Sequence, residues 1–167
     1  MAKKLLIVGA GQYGRLVKEI ALDTGAFEQI DFLDDKSSSA IGKVSESRSF
    51  IGKYDCAIVA IGNPTVRLKL LNELEGFFDI SPLIHPRAYV SPSAEIGLGS
   101  VIEPLAVVHT EAKLGLGCII SAGAVVNHAA KCAEGVHIDC NATVAGYAEV
   151  PAETKVESGK VFRAIYE

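Results

Sequence analysis

The chain has 167 residues, of which 49% are hydrophobic and 22% are charged, and this balance excludes an intrinsically disordered protein. Its net charge of -4 gives no general attraction to nucleic acid or to an anionic membrane surface, so we expect neither partner. No apolar stretch approaches the roughly 20 residues of a membrane-spanning helix, and its four cysteines form no CxxC pair, which favours a reducing cytoplasm.

The first 80 residues alternate strand and helix signals. KKLLIVGA starts like a signal peptide, but polar residues soon interrupt it, so it predicts a buried strand that leads through GAGQYG into the helix RLVKEIALDTG. Two more apolar segments, QIDFLDD and DCAIVAIGN, predict further strands. Gly25 ends the first helix, Asn63 and Pro64 start a second one, and Gly76 ends it. Residues 1–80 are therefore predicted to form a small Rossmann-like parallel sheet with βαβ crossovers.

After residue 80 the pattern changes to a period of six. An apolar residue occupies every sixth position, at Ile84, Val90, Ile96, Ile102, Val108, Leu114, Ile120, Val126, Cys132, Ile138, Val144, Val150, Val156 and Phe162. Alanine often lies two positions before them. This period fits neither a helix nor an alternating strand, but it fits a solenoid in which each hexapeptide forms one flat face. Residues 81–167 are therefore predicted to form an all-β solenoid with these side chains on its axis, the alternative being a β-sandwich.

The chain resembles the bacterial left-handed β-helix (hexapeptide repeat) sugar acetyltransferases, which include sialic acid O-acetyltransferases and N-acetyltransferases of UDP-linked amino sugars. The resemblance covers nearly the whole chain through GAGQYGRLV, FLDD, AIGNPTVR, LIHPRAYVSPSAEIG and GAVVNHAAKCAEGVHI. It implies three hexapeptides per triangular coil and a homotrimer with active sites between subunits. It also implies acetyl-CoA as co-substrate and a nucleotide-linked amino sugar, or a related cell-surface sugar, as acceptor.

The resemblance places the catalytic residues in VVNHAAKCAEGVHIDC. His128 matches the general base, because an attacking amine or hydroxyl must lose a proton and neutral imidazole can accept it near pH 7. His128 lies two residues after the inward Val126, which predicts a corner or the outer surface. His137 matches the histidine beside the acetyl group, where a donor stabilises negative charge on the carbonyl oxygen, and Gly146 is assigned to the same acetyl-CoA site. The acidic residue that often follows the base is Ala129 here.

Other readings of the histidines remain open. Glu111, one coil before Ala129, is the candidate replacement for the missing acid. A zinc site would use two nitrogen and two sulfur ligands, from His128, Cys132, His137 and Cys140. The inward phase of Cys132 disfavours that site, and we expect no metal. A carbonic anhydrase-like site with His109 as third ligand, and surface histidines without a function, are further alternatives.

The loop GAGQYG follows a strand and opens a helix, so its backbone amides suit the diphosphate of NAD or of a nucleotide sugar. The short sheet disfavours NAD, and the resemblance assigns the loop to the nucleotide sugar. The predicted substrate-binding residues are Gly9, Gly11, Gln12, Tyr13, Asp34, Asp35, Gly62, Asn63 and Arg67. In the alternative reading, the glycines serve only tight packing of the strand against the helix.

These observations favour an acetyl-CoA-dependent sugar acetyltransferase. A non-catalytic nucleotide-sugar-binding trimer is the alternative, because Ala129 replaces the acidic residue and the sequence shows no GVPAK-like tail. A sialic acid O-acetyltransferase and an NAD-dependent enzyme are further candidates.

Overall fold

The computed structural model describes residues 3–163 and begins with a sheet of three parallel strands. The strands are β1 (Lys3–Val8), β2 (Phe27–Leu33) and β3 (Cys56–Val59), in the order β2-β1-β3. The helices are α1 (Gln12–Thr24) between β1 and β2, a 3₁₀ helix (Val44–Phe50) between β2 and β3, and α2 (Pro64–Leu74) after β3. The predicted alternation of strands and helices is confirmed.

Both faces of this sheet are buried, as a continuous apolar run requires. On one face Ile7 packs in a cluster with Val17 of α1. On the other face Leu6 and Val8 share a cluster with Leu71 of α2. The two helices therefore cover opposite sides of β1.

The helix ends follow the predicted capping residues. Helix α1 ends at Gly25, whose φ of 65° lies in the left-handed region that favours glycine. The side chain of Asn63 accepts the Val66 N–H at 3.0 Å and so caps α2. Helix α2 ends at Leu74, and Gly76, with φ of 83°, lies just beyond it. Within residues 3–163, no helix has the length and apolar content needed to cross a bilayer.

Fourteen two-residue strands follow, one in each hexapeptide. They are Leu83–Ile84 (β4), Tyr89–Val90 (β5), Glu95–Ile96 (β6), Val101–Ile102 (β7), Val107–Val108 (β8), Lys113–Leu114 (β9), Ile119–Ile120 (β10), Val125–Val126 (β11), Lys131–Cys132 (β12), His137–Ile138 (β13), Thr143–Val144 (β14), Glu149–Val150 (β15), Lys155–Val156 (β16) and Val161–Phe162 (β17). Parallel pairing joins strands of successive coils, as in Ile120 with Ile138, so one coil takes eighteen residues.

The strands form three flat faces around one axis. The first face contains β4, β7, β10, β13 and β16, the second contains β5, β8, β11, β14 and β17, and the third contains β6, β9, β12 and β15. The fourteen predicted apolar residues all occupy the second position of a strand and belong to one core cluster. Four of them, at the two ends of the solenoid, are half-buried: Ile84, Val90, Ile96 and Phe162. The predicted period of six is confirmed.

The corners between faces repeat one backbone conformation. From Gly99 to Gly159 every sixth residue has a positive φ, and six of these residues are not glycine, with φ between 53° and 62°. A residue with a side chain pays about 1–2 kcal/mol in this left-handed conformation. Ala129, with φ of 53°, is one of the six. The chain therefore turns sharply directly after His128.

Helix α2 packs against the corner between the third and first faces. Three successive coils carry glycine there: Gly99, Gly117 and Gly135. A Cβ on Gly117 would lie 2.7 Å from Cδ1 of Leu71, and one on Gly135 would lie 3.0 Å from Cδ1 of Leu68. Because glycine has no side chain, α2 can lie directly on the solenoid at these positions. We call this contact the α2 seat.

The predicted boundary between residues 80 and 81 stays a prediction. The first strand of the solenoid begins at Leu83. However, Leu83 and Val101 share an apolar cluster with Leu5 and Ile7 of the sheet. The two parts therefore have a continuous core at this point.

Candidate active site

His128 is exposed at the corner between the second and third faces. Its Nδ1 lies 2.8 Å from Oδ1 of Asn127, and the same oxygen accepts the backbone N–H of His128 at 2.8 Å. Because a backbone N–H can only donate, the Asn127 atom is the amide oxygen, and Nδ1 must carry a proton. In a neutral imidazole, Nε2 is then left with a lone pair that can accept a proton.

The ring of His128 extends over the next coil. It meets the ring of Tyr147 edge to face, with centroids 5.1 Å apart and an interplanar angle of 85°. A Cβ on Gly146 would lie 2.8 Å from Nε2 of His128. Gly146, predicted to lie in the acetyl-CoA site, therefore makes room for the imidazole.

The hydrogen-bond partner of His128 is Asn127 rather than Glu111. The backbone N–H of Glu111 donates to Oγ of Ser93 at 3.2 Å, and within residues 3–163 its carboxylate makes no hydrogen bond to His128. Sequence reasoning missed Asn127. Its signal was an asparagine directly before the histidine, since a short amide side chain readily bonds to neighbouring backbone groups.

His137 lies on the first face and is half-buried. Its Nε2 is 3.0 Å from Oγ of Ser121, which donates to Oε1 of Glu103 at 3.3 Å. The backbone N–H of Ala122 donates to the other carboxylate oxygen at 2.9 Å. Burial raises the pKa of Glu103 and lowers the pKa of His137. Sequence reasoning missed Glu103 and Ser121, although each directly follows an inward residue and the two are one coil apart.

The two predicted site histidines lie near different corners of the chain. His128 is in the turn between β11 and β12. His137 contacts Ser121, which is in the turn between β10 and β11. The second face lies between these corners. Within one chain the two imidazoles therefore do not line the same groove.

The residues of the alternative zinc site do not converge. Cys132 is 3% exposed and belongs to the core, whereas His128 and Cys140 are exposed. Burial also raises the pKa of the Cys132 thiol, which disfavours the thiolate that binds a metal. Residues 3–163 contain no group of three or more histidine, cysteine or acidic side chains placed to hold a metal ion.

A second candidate region is a cavity of about 420 Å³ at the carboxyl ends of β1, β2 and β3. Seven of the nine predicted substrate-binding residues line it: Gly9, Gly11, Gln12, Tyr13, Asp34, Asp35 and Gly62. Lys36, Val44, Ala60 and Ile61, which were not predicted, line it as well. Ligands of open parallel sheets bind at this edge.

The other two predicted substrate-binding residues, Asn63 and Arg67, serve the fold. Asn63 caps α2, and Arg67 is only 1% exposed within the α2 seat. The guanidinium donates at 2.8–2.9 Å to the backbone carbonyls of Ile61, Gly62, Gly117 and Gly135. Neither residue lines the cavity. The structure gives both residues a structural role through these backbone contacts, and their contact with substrate stays a prediction.

The three glycines of GAGQYG have different roles. Gly9 has φ of 109°, and a Cβ there would lie 2.7 Å from the carbonyl oxygen of Ala60. A Cβ on Gly14 would lie 2.0 Å from the carbonyl oxygen of Gly9. These two glycines are needed for packing, but a Cβ on Gly11 would meet no atom within 4 Å. Of these three glycines, only Gly11 is not required by packing, and it lines the cavity at the first turn of α1.

Asp34 shapes the rim of the cavity. Its carboxylate accepts the backbone N–H groups of Ala10, Lys36 and Ser37, each at 2.8 Å, and these bonds lower the pKa of Asp34. Asp35 accepts a backbone N–H at 3.0 Å. Asp34 therefore ties the loop after β2 to the glycine loop after β1.

Tyr13 joins the cavity to the apolar interior. Its ring packs against the cluster around β1. Its hydroxyl is buried and has no hydrogen-bond partner within residues 3–163, and burial raises its pKa. The tyrosine is therefore an apolar wall of the cavity with one unsatisfied polar atom.

Comparison with known proteins assigns the chain to a family. A family model described as the PglD N-terminal domain matches residues 4–74. The acetyltransferase domain of PglB from Neisseria gonorrhoeae FA1090, solved in complex with acetyl coenzyme A, is 33% identical to this chain. That match covers 96% of this chain and 82% of the PglB domain, with a TM-score of 0.92. The chain belongs to the left-handed β-helix sugar acetyltransferases.

Two more known proteins are similar to this chain. UDP-N-acetylbacillosamine N-acetyltransferase from Bacillus subtilis (strain 168) is 34% identical in an alignment of 110 residues that covers 59% of this chain. The chain spans about half, 50%, of that relative's length. A mutant of perosamine N-acetyltransferase from Caulobacter crescentus, solved with CoA and GDP-perosamine, is 24% identical. The match covers 95% of this chain and 87% of the Caulobacter crescentus chain, with a TM-score of 0.78, which shows the shared fold. The predicted left-handed β-helix is confirmed.

Proposed function

We propose that the protein is an acetyl-CoA-dependent acetyltransferase whose acceptor is a UDP-linked amino sugar. The observation that carries the proposal is the exposed His128, whose Nε2 is free because Asn127 holds the proton on Nδ1. Two relatives support it: the PglB domain was solved with acetyl coenzyme A, and the Bacillus subtilis protein is named for a UDP-amino sugar.

In this proposal, His128 is the general base. Its Nε2 takes a proton from the acceptor amine as the new C–N bond forms, and returns it to the CoA sulfur as the C–S bond breaks. Asn127 keeps the imidazole in the required orientation and stabilises its charged form by accepting the Nδ1–H. A neutral amide does this less strongly than a carboxylate, so Asn127 partly replaces the acid missing at Ala129.

The N-terminal part, predicted to be residues 1–80, holds the nucleotide sugar. The backbone N–H groups at the start of α1, next to Gly11, have no side-chain cap within residues 3–163 and suit the charge of a diphosphate. Residues 81–167 supply the base and the acetyl-CoA groove. We place the protein in the cytoplasm, because the four cysteines are free, as in a reducing compartment.

A homotrimer would complete the active site. Since His128 and His137 lie near different corners of one chain, a groove between adjacent copies can take one histidine from each. The thin core of the β-helix also gains buried area when its faces pack against other copies.

Replacing Gly11 with alanine is expected to weaken binding of UDP by about tenfold or more, with only the loss of roughly 1 kcal/mol of stability that alanine causes at a helix N-cap. The added methyl group meets no protein atom within 4 Å, and because Gly11 lines the cavity we expect the methyl group to take space from the ligand. Calorimetric titration with UDP measures the affinity, and thermal unfolding measures the stability. Gly14→Ala is the contrasting variant: its Cβ would lie 2.0 Å from the Gly9 carbonyl oxygen, so it should lower the unfolding temperature much more than Gly11→Ala does. An unchanged UDP affinity in Gly11→Ala would contradict the assignment of this cavity.

Transferase activity is tested by adding acetyl-CoA and a panel of UDP-linked amino sugars. We expect release of free CoA thiol only when both substrates are present, and a sugar product that mass spectrometry shows to be acetylated. Binding of a UDP-sugar together with no binding of acetyl-CoA would instead support the non-catalytic binding protein. Binding of NADH, detected by its fluorescence, would support the NAD-dependent alternative.

A further inference from the structure

A buried carboxylate lies behind His137. Glu103 and Ser121 are each 4% exposed, and they follow the inward residues of β7 and β10 in successive coils. Together with His137 they form a chain of contacts from Glu103 Oε1 through Ser121 Oγ to His137 Nε2, of 3.3 Å and 3.0 Å. The second carboxylate oxygen of Glu103 is satisfied by the backbone N–H of Ala122. We call these three side chains the Glu103 relay.

Glu103 faces two donors, the Ser121 hydroxyl and the Ala122 backbone N–H, which favour its ionised form, and with Glu103 ionised the number of protons in the Glu103 relay fixes its direction. The hydroxyl of Ser121 has one proton, so it cannot donate to both of its neighbours. An ionised Glu103 has only acceptors and therefore takes that proton. Ser121 must then accept from Nε2–H of His137, and a neutral imidazole with its proton on Nε2 keeps a lone pair on Nδ1.

The surroundings of His137 place a second carboxylate on the Nε2 side of a ring that burial keeps neutral. Oδ1 of Asp139 is a second acceptor near Nε2, at 3.9 Å, and Asp139 is paired with Lys155 at 3.0 Å. Burial lowers the pKa of His137 and so favours the neutral ring. The charged or titratable groups near the relay are Arg67, Asp139, Lys155 and Glu157 around His137, and Tyr13, Asp139 and Cys140 around Glu103. Nδ1 of His137 makes no hydrogen bond with any residue in the described range 3–163.

We propose that Glu103, acting through Ser121, fixes His137 in the tautomer that carries its proton on Nε2 and presents Nδ1 as a hydrogen-bond acceptor. Glu103 is then a positioning residue. Only the identity of the ligand rests on the proposed function. A group that binds Nδ1 of His137 must be a hydrogen-bond donor, such as an amide N–H of the CoA pantetheine arm. This acceptor role replaces the donor role that the family resemblance implied for His137.

Nitrogen-15 NMR of the histidine rings, recorded at about pH 8 where free imidazole is neutral, tests the tautomer directly. The wild type should show His137 protonated on Nε2. In Glu103→Gln the amide oxygen must still accept from Ala122, so the amide NH₂ group donates to Ser121 and the His137 proton should move to Nδ1. Two other histidines serve as internal references. His128 is expected to carry its proton on Nδ1, and His85 is expected to carry it on Nε2, because its Nδ1 accepts a backbone N–H at 2.9 Å.

Kinetics provide a second readout. Glu103→Gln should raise the KM for acetyl-CoA about fivefold and leave kcat within about twofold, as expected for one lost neutral hydrogen bond. Glu95→Gln, which changes an exposed carboxylate on the third face, should alter neither the tautomer nor the KM.

Two results would overturn the inference: a wild-type His137 protonated on Nδ1, or a tautomer that Glu103→Gln does not change. If Glu103→Gln fails to fold, Ser121→Ala tests the same link and should give a mixture of both tautomers. The His137 signal is identified by its loss in His137→Gln. Because NMR needs no activity, an inactive protein with the expected tautomers would refute the proposed function and leave this inference standing.

Discussion

Replacing His128 with glutamine is expected to lower kcat for acetyl transfer by about 10²- to 10⁴-fold, the usual contribution of a positioned general base. The reason is the geometry at Asn127, which keeps Nε2 unprotonated and available to the acceptor amine. Glutamine keeps polar atoms in the same place but cannot take up a proton near neutral pH. The rate of CoA thiol release at saturating substrate concentrations measures the effect.

His109→Gln is the matched control for this experiment. His109 is also exposed on the β-helix and contacts a tyrosine ring edge to face, that of Tyr89, at 6.3 Å. Its backbone N–H bonds to the carbonyl of Val126 in the next coil, and we assign it no role in catalysis. Both variants should unfold at the wild-type temperature, because they change exposed side chains. A His128→Gln enzyme with wild-type kcat would refute the assigned base.

Replacing Arg67 with alanine is expected to lower the free energy of unfolding by roughly 3 to 5 kcal/mol, since buried acceptors lose their donors. Four backbone carbonyls accept hydrogen bonds from this one guanidinium, two at the glycine corner of the α2 seat and two in the loop before α2. Alanine leaves them without a partner and removes the packing of the long side chain. Urea denaturation of the full chain, followed by circular dichroism, measures the loss.

Lys69→Ala provides the comparison on the same helix. The Lys69 side chain is 76% exposed, and its ion pair with Glu73 spans 3.9 Å. Such a surface pair contributes at most about 0.5 kcal/mol. If Arg67→Ala lowered the free energy of unfolding no more than Lys69→Ala does, the structural role of Arg67 would be wrong.

The architecture was predictable because its signals are local. Each inward residue from Ile84 to Phe162 sits six positions from the next, and burying that series requires only that coils stack. The same holds for Asn63 and Gly25, whose capping roles depend on a few neighbouring residues. Most residues that line the cavity could also be predicted, because the ends of parallel strands meet at one edge of the sheet.

The structural contacts that sequence reasoning did not predict join residues far apart in the chain. Arg67 was predicted to contact substrate because it belongs to the motif AIGNPTVR of the family resemblance, whereas its partners Gly117 and Gly135 in the structure are 50 and 68 positions away. The Glu103 relay joins three coils in the same manner. Reading the chain in steps of eighteen would have placed Glu103, Ser121 and Asp139 in one column. The missed signal was this column of polar residues, each directly after an inward position.

The α2 seat restricts how this protein can change its length. Deleting eighteen residues anywhere in the β-helix removes one full coil and keeps the remaining side chains in phase. Between Gly99 and Gly135, however, that deletion also removes one step of the glycine column on which α2 lies. Coils inserted after Val156 leave the column intact. Evolution can therefore lengthen or shorten the solenoid in whole coils at its far end, while its first coils stay fixed in number by the helix that rests on them.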